Sequence, residues 1–307
     1  MDIKYYPGCT IKTSARNYET SALAALQALG VELNEMEDWN CCGVVHSLTT
    51  DDLYHQIAPV RVLNHLEHEG RSELVTLCDM CYNTLAQANV LVTSDAEKLK
   101  TLNTFMDTEE PYGGSVEVLH LLEILRDKVG FQTIAKRVKR PLKGLKVFPY
   151  YGCMLLRPGE VGIDNAEDPT ILGDLMAALG AEVIDDPVKV ECCGSHHTVG
   201  NCGVVFDRVE KIVERAKAKG AEAMVLSCPL CRFNLDARQQ EDPAITEPLP
   251  VFYYTQLMAV AFGLGEEVLG LDDHRVDPCP LLRERGMCGR HDGEPHKGSG
   301  HAVSVSV

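Results

Sequence analysis

Apolar positions along this chain follow two rhythms in turn. Short, nearly continuous apolar runs are followed by longer stretches in which apolar residues recur at helical spacing. Lys4-Tyr5-Tyr6-Pro7-Gly8-Cys9 reads as a short strand ending in a tight turn. Ser14 to Leu29 reads as a helix, with Leu23, Leu26 and Leu29 on its apolar face and Gly30 as its stop. Val31-Glu32-Leu33 alternates like a strand, and Leu53 to Glu69 is helical, with Pro59 as a break or second start. Glu73 to Leu77 is a buried-type strand that ends where a further helix begins, at Cys78-Asp79-Met80-Cys81. Val116-Glu117-Val118 and a helix from Leu119 to Asp127 close this half.

The programme then restarts. After a basic link, Gly130 to Leu145, Val147 to Cys153 mirrors the first strand and turn. Leu172 to Leu179, Gly180 and Ala181 to Ile184 repeat the helix, glycine and strand. Val204 to Lys219 is a helix stopped by Gly220. Ala223 to Ser227 leads into Cys228-Pro229-Leu230-Cys231, and Pro250 to Tyr254 with a helix to Phe262 matches the end of the first half. Strands alternating with helices favour parallel sheets. The expected fold is therefore α/β: two related modules about a pseudo-twofold, each a small, mostly parallel sheet with helices, spanning 1–140 and 141–270. Residues 271–307 lack periodicity and read as an irregular, extended or partly disordered tail.

The duplication is sharpest in the cysteines. The first half carries Cys9, the pair Cys41-Cys42 before Gly43, then Cys78 and Cys81. The second carries Cys153, Cys192-Cys193 before Gly194, then Cys228 and Cys231. The lone cysteine precedes the pair by 31 and 38 intervening residues, and 35 and 34 residues separate the pair from the CxxC. Scattered structural cysteines would not keep such spacing. In α/β sheets the ends of strands and starts of helices are where ligand sites fall.

A chain of 307 residues can bury a large core and fits about two domains. Its net charge of −16 argues against nucleic acid, which needs clustered Lys and Arg, but leaves room for an anionic small substrate in a local basic pocket. No apolar run approaches the ~20 residues of a membrane helix, and no apolar stretch follows a basic start as in a signal peptide. A cytoplasmic, reducing setting is expected, so thiolates read as metal ligands or redox groups rather than disulfides. The odd total of 13 cysteines also sits badly with a full disulfide framework.

Soft thiolates bind zinc, copper(I) or iron–sulfur clusters, and a CxxC at a helix start also serves redox dithiols. Zinc takes four ligands, as does a cubane cluster, whereas each half supplies five cysteines. Either one stays free or one bridges two irons. Neighbouring side chains of an extended chain point to opposite faces, so both members of a pair can reach one site only if the backbone bends. Gly43 and Gly194 sit where that bend is easiest.

These spacings resemble the duplicated cysteine-rich CCG domain, over about residues 3 to 262. The flanks Tyr5-Tyr6-Pro7-Gly8-Cys9, Pro149-Tyr150-Tyr151-Gly152-Cys153 and Cys228-Pro229-Leu230-Cys231 resemble the B subunit of heterodisulfide reductase. The resemblance implies two [4Fe-4S] clusters of non-cubane type, one per module, held by Cys9, Cys41, Cys42, Cys78 and Cys81 and by Cys153, Cys192, Cys193, Cys228 and Cys231. It further implies two-electron reduction of a disulfide, RS–SR′, to two thiols. The implied partners are a ferredoxin-like protein of the C-subunit type and a flavoprotein of the A-subunit type, since the chain shows neither a dinucleotide fingerprint nor a ferredoxin cysteine run. Related CCG subunits serve other substrates, so relay of electrons to a quinone- or flavin-linked dehydrogenase is a second reading, and a zinc-bound scaffold a third.

His46, His196 and His197 follow the glycine turns. His196 and His197 are the catalytic candidates, as proton donors to a departing thiolate; the plain alternative is hydrogen bonding to sulfur or simple exposure. Lys12, Arg16 and Arg157 follow the lone cysteines and read as solvated helix charges or as anion ligands. Trp39 reads as packing around the first site, and Cys202 as a small buried residue. Cys279 and Cys288, with His274, His291 and His296 nearby, match no established zinc spacing and read as tail or partner contact.

Overall fold

The computed structural model of the chain describes residues 1–44, 53–106 and 110–288. Two four-stranded sheets share one plan. The first has the order β2-β1-β3-β4, built from β1 (Asp2–Tyr6), β2 (Glu32–Glu35), β3 (Glu73–Thr76) and β4 (Glu117–His120). The second has the order β6-β5-β7-β8, built from β5 (Lys146–Pro149), β6 (Glu182–Val183), β7 (Ala223–Leu226) and β8 (Val251–Tyr253). Every pairing is parallel, with Tyr5 opposite Val75 and Val75 opposite Leu119 in the first sheet, and Val147 opposite Ala223 and Val225 opposite Phe252 in the second. Parallel sheets need both faces covered, which explains the continuous apolar runs: Ala223, Met224, Val225 and Leu226 are all fully buried.

In each sheet the chain goes from its first strand outward to its second and then crosses to the other side. The switch point lies between β1 and β3, and between β5 and β7. Crevices open at the carboxyl ends of strands at such points. Cys9 follows β1 and Cys78 follows β3; Cys153 follows β5 and Cys228 follows β7.

Helix positions follow the sequence expectations within a few residues: Arg16–Ala28, Ile57–His68, Asp79–Ser94, Ile171–Ala178, Cys202–Ala218 and Tyr254–Ala261. Pro59 breaks nothing, because it stands in the first turn of Ile57–His68, where no intrahelical N–H bond is required of it. The basic link carries a helix of its own, Phe131–Arg137.

The modules meet near the carboxyl edges of their sheets. Tyr18 of the first module stacks on Tyr253 of the second, with ring centroids 4.1 Å apart and planes 3° from parallel, and meets Tyr254 edge-on. Tyr18 OH donates to Leu77 O at 3.0 Å. Ser21 and Thr255 hydroxyls pair at 2.7 Å. Tyr82 OH donates to Val161 O, and Asn83 Nδ2 to both Met154 O and Arg157 O.

Beyond residue 270 secondary structure is sparse, two short helical segments Leu271–Asp273 and Cys279–Glu284. The segment is nonetheless docked. The Asp236 carboxylate accepts from Arg275 N and Val276 N, and Gln256 Nε2 bonds Leu269 O and meets His274 Nε2 at 2.9 Å. Leu282 is fully buried. The irregular reading holds for this segment, and what the sequence did not display is its docking, whose long-range carboxylate and amide contacts leave no periodic trace.

Candidate metal centres

Each half gathers its five cysteines at the carboxyl edge of its sheet. Cys78 and Cys228 are the residues just before helices Asp79–Ser94 and Pro229–Arg232, and Cys81 and Cys231 lie in the first helical turns. Cys42 Sγ stands 3.5 Å from Cys81 Sγ, and Cys193 Sγ 3.5 Å from Cys231 Sγ. Cys41 Sγ stands 4.0 Å from Cys9 Sγ. All thirteen cysteines are free thiols.

The adjacent pairs divide. Cys42 and Cys193 are buried with the CxxC cysteines, while Cys41 is exposed and Cys192 half-buried. The lone cysteines go with the outer members: Cys9 is exposed and Cys153 half-buried. Each set therefore has a buried floor of three thiols and an accessible rim of two. A left-handed turn follows each pair at Gly43 (φ +77°) and Gly194 (φ +80°), a conformation that costs glycine little.

Two tyrosines hold these loops. Tyr6 OH donates to Asn40 O at 2.9 Å, and Tyr150 OH to Glu191 O at 2.6 Å. Each carbonyl belongs to the residue just before the cysteine pair, and each tyrosine is three residues before the lone cysteine. Sequence reasoning used these tyrosines only as flanking resemblance. Their common offset in both halves was the available signal for a structural role. Trp39 packs edge-on against Tyr6, with centroids 5.7 Å apart.

Glycine also makes room. A Cβ on Gly8 would stand 2.9 Å from Cys81 Sγ, and one on Gly152 3.3 Å from Cys231 Sγ. Further donors address sulfur in the second half: Gly194 N–H points at Cys192 Sγ at 3.3 Å, and Asn234 Nδ2 bonds Cys193 O and approaches Cys193 Sγ at 3.6 Å.

Crowded thiols cannot all ionise. Hydrogen bonds from Cys41 and Cys81 hold the Cys42 thiol down at about 3, and bonds from Cys153 and Cys193 hold Cys192 at about 2. Their donors are pushed the other way: Cys41 and Cys81 by bonding to Cys42, and Cys153 by bonding to Cys192, with burial adding to each. In each set the thiol that is lowered raises the neighbours bonded to it. Full deprotonation of either set needs positive charge brought into it, which is what a metal or iron–sulfur core supplies to thiolate ligands. The donor set is soft, glycine-lined and partly buried, and so fits such a core. Among the described residues, no three or more Cys, His, Asp or Glu side chains converge as they would around one ion.

Charge in the first module reaches the second set. Bonding to Cys231 lowers the Cys228 thiol, but burial together with the charges of Asp79 and Cys78, from the other module, outweighs that and raises it.

The remaining candidates scatter. His196 and His197 lie in the turn Ser195–His197, exposed, with the charge of His196 reaching Cys192. His46, His291 and His296 lie outside the described residues. Lys12 is bound by Glu19 and Glu35, and Arg157 by Glu167 and Ala166 O, so neither is a free anion ligand. Arg16 Nε caps Lys12 O. Cys202 is not a core residue: half-buried at a helix start, its thiol meets Thr198 O at 3.3 Å. Cys279 and Cys288 share a cleft of about 390 Å³ with Glu266 and Asp272. Burial pushes their thiols up to about 12 and about 11.

Residues 3–86 and 147–236 each match the family model for the CCG cysteine-rich domain. The chain belongs to this family, in the duplicated form seen in the B subunit of heterodisulfide reductase. It is 30% identical over 285 residues to the 8-methylmenaquinol:fumarate reductase membrane anchor subunit of Wolinella succinogenes, covering 91% of this chain and 99% of that one. It is 28% identical over 290 residues to the B subunit of the ferredoxin/F420H2-dependent CoB-CoM heterodisulfide reductase of Methanosarcina acetivorans, covering 91% and 95%. A protein of Archaeoglobus profundus that is likewise similar to the heterodisulfide reductase B subunit is 28% identical, covering 88% and 94%. Among solved structures, a hypothetical protein from Helicobacter pylori superposes with a TM-score of 0.68 at 11% identity. That match covers 89% of this chain and 51% of the other, so this chain spans about half of that protein, and the likeness is one of fold. Among the described residues of the CCG chain, no helix is long and apolar enough to cross a membrane.

Proposed function

We propose that this chain is the disulfide-reducing iron–sulfur subunit of a multi-subunit oxidoreductase. It holds one [4Fe-4S] cluster of non-cubane type in each five-cysteine set and carries out RS–SR′ + 2e⁻ + 2H⁺ → RSH + R′SH. The observation that carries this reading is the pair of complete thiol sets, each with a buried floor of three cysteines and an accessible rim of two.

When bound, such clusters supply electrons singly and a soft metal with affinity for sulfur. The protein's own residues do the rest. The ten cysteines hold the two cores. Tyr6 and Tyr150 fix the loops that present the cysteine pairs, and Gly8 and Gly152 leave the clearance above Cys81 and Cys231. The rim thiols Cys9 and Cys41, and Cys153 and Cys192, stand on the side a substrate reaches. His196 and His197, exposed beside Cys192, deliver protons to departing thiolates. Electrons come from ferredoxin-like and flavoprotein subunits of a cytoplasmic complex.

A second reading, relay of electrons in a quinol-linked dehydrogenase, is favoured by the Wolinella relative's name. One experiment separates the two. The anaerobically purified chain, reduced by a dye of low potential, is offered a mixed disulfide, and thiol release is followed. Release that stops in His196→Ala/His197→Ala protein of unchanged iron content supports both the reaction and the proton donors. Release unchanged by that variant removes the histidines from the mechanism, and no release, with reoxidation by a quinone instead, moves the assignment to relay.

A further inference from the structure

Residues 128–146 contain no Asp or Glu, in a chain that has 45 of them. Lys136, Arg137, Lys139, Arg140 and Lys143 are all exposed, and none of the five enters an ion pair among the described residues. Cations elsewhere are commonly matched to carboxylates, as Lys4 is to Glu69, Lys189 to Asp168 and Asp185, and Arg215 to Asp186. Leaving five together without a counter-ion costs self-repulsion, which a surface usually relieves by interspersing acids.

The stretch is rigidly presented. Lys139 N and Arg140 N both donate to Ala261 O at 2.9 Å, and Leu142 N donates to Leu179 O at 3.0 Å. Ile134, Leu142 and Leu145 are fully buried. The backbone is thus pinned through its apolar residues while the cations point outward. Its position is equally defined. Residues 139–145 lead into the amino end of β5, whereas the cysteines follow the carboxyl ends of β5, β6 and β7. The basic face and the second thiol set therefore lie at opposite ends of the sheet, and an occupant of one leaves the other open.

We propose that residues 136–143 form an electrostatic docking face for an anionic phospholipid headgroup surface. The proposal goes beyond the disulfide chemistry and does not depend on it. Clusters of four to eight Lys and Arg, known next to membrane segments and on amphipathic helices, attract anionic lipid headgroups by charge. Protein interfaces, in contrast, are depleted in lysine and built around aromatic and apolar anchors. This face presents three lysines, and no large apolar side chain within 128–146 is exposed. The chain's overall negative charge does not cancel the attraction, because charges farther than about 8 Å are screened at physiological salt.

The test is co-sedimentation of the full chain with vesicles of phosphatidylglycerol and phosphatidylcholine, against phosphatidylcholine alone. The intact chain partitions onto the anionic vesicles only, and raised salt releases it. Lys139→Gln/Arg140→Gln/Lys143→Gln lowers the partition on the order of a hundredfold, and Lys139→Glu/Arg140→Glu/Lys143→Glu lowers it further. Lys100→Glu, an exposed cation outside the face, leaves it unchanged. Circular dichroism identical to the parent shows that the variants fold. No partition of the intact chain onto anionic vesicles overturns the proposal, as does equal binding by the triple Glu variant. Capture of polyglutamate without capture of vesicles overturns it too, making the face a protein contact.

Discussion

Gly8→Ala and Gly152→Ala form a matched pair of perturbations whose difference is set by the geometry of the thiol floor. Both positions have left-handed backbone, φ +72° at Gly8 and +65° at Gly152, so a methyl group costs each about 1–2 kcal/mol. The space differs. At Gly8 the new Cβ stands 2.9 Å from Cys81 Sγ and 3.3 Å from Tyr6 Cε1, and at Gly152 it stands 3.3 Å from Cys231 Sγ. Ordinary contact begins near ~3.5 Å, so Cys81 Sγ must retreat by about 0.6 Å while Cys231 Sγ yields about 0.2 Å. Cys81 sits in the first turn of a helix with Cys42 Sγ 3.5 Å away, and its one side-chain torsion cannot move it freely. Overpacking of this kind costs about 1–3 kcal/mol. Gly8→Ala should therefore destabilise by roughly 2–5 kcal/mol and Gly152→Ala by roughly 1–2 kcal/mol. Urea denaturation at constant slope reads both values, and iron per chain reads the site. Equal losses, or a loss below about 1 kcal/mol at Gly8, would refute the idea that these glycines are kept for clearance above sulfur.

Tyr150→Phe keeps the ring's packing and leaves Glu191 O without its 2.6 Å partner; a loss of about 1–3 kcal/mol is expected, with faster proteolysis around Cys192, and an unchanged cleavage pattern would count against the loop-anchor role. Tyr18→Leu removes the stack on Tyr253 and the bond to Leu77 O; about 2–4 kcal/mol should be lost, and scanning calorimetry should show one transition broadening into two as the modules uncouple. His274 is held neutral, pushed down to about 3 by burial, so the unfolded chain binds more protons below its ordinary value near ~6.5. Its contribution to stability is complete above that value and is lost as pH falls toward about 3, at roughly 1.4 kcal/mol per unit. His274→Gln should flatten stability against pH between those limits, and a parallel acid limb in parent and variant would contradict this.

The duplication, the strand–helix alternation and the placing of cysteines at strand ends were legible because they rest on local pattern. Strands buried on both faces leave unbroken apolar runs such as Ala223–Leu226, and a parallel sheet follows from what must connect them. Ala96–Phe105 was not legible: it is a largely exposed helix, and its visible cue, Asp95 accepting from Glu97 N and Lys98 N, is a single residue. The division of each cysteine pair into floor and rim needed coordinates, since alternation says that neighbours diverge but not which one turns inward. The docking of residues 271–288 was hidden for a different reason. Asp236 and Gln256 reach it from distant parts of the chain, and such contacts have no period. Lys12 and Arg157 kept an anion-ligand reading beside that of plain helix charges only while their carboxylate partners, Glu19, Glu35 and Glu167, were unplaced.

The proposed function stands on iron–sulfur clusters in both five-cysteine sets. Iron, zinc and acid-labile sulfide per chain, measured on protein purified without oxygen and read beside electron paramagnetic resonance after oxidation with thiol present, test it most directly. About eight iron and about eight sulfide are expected, two four-iron clusters, with a paramagnetic signal that depends on the thiol. Zinc without sulfide would contradict it.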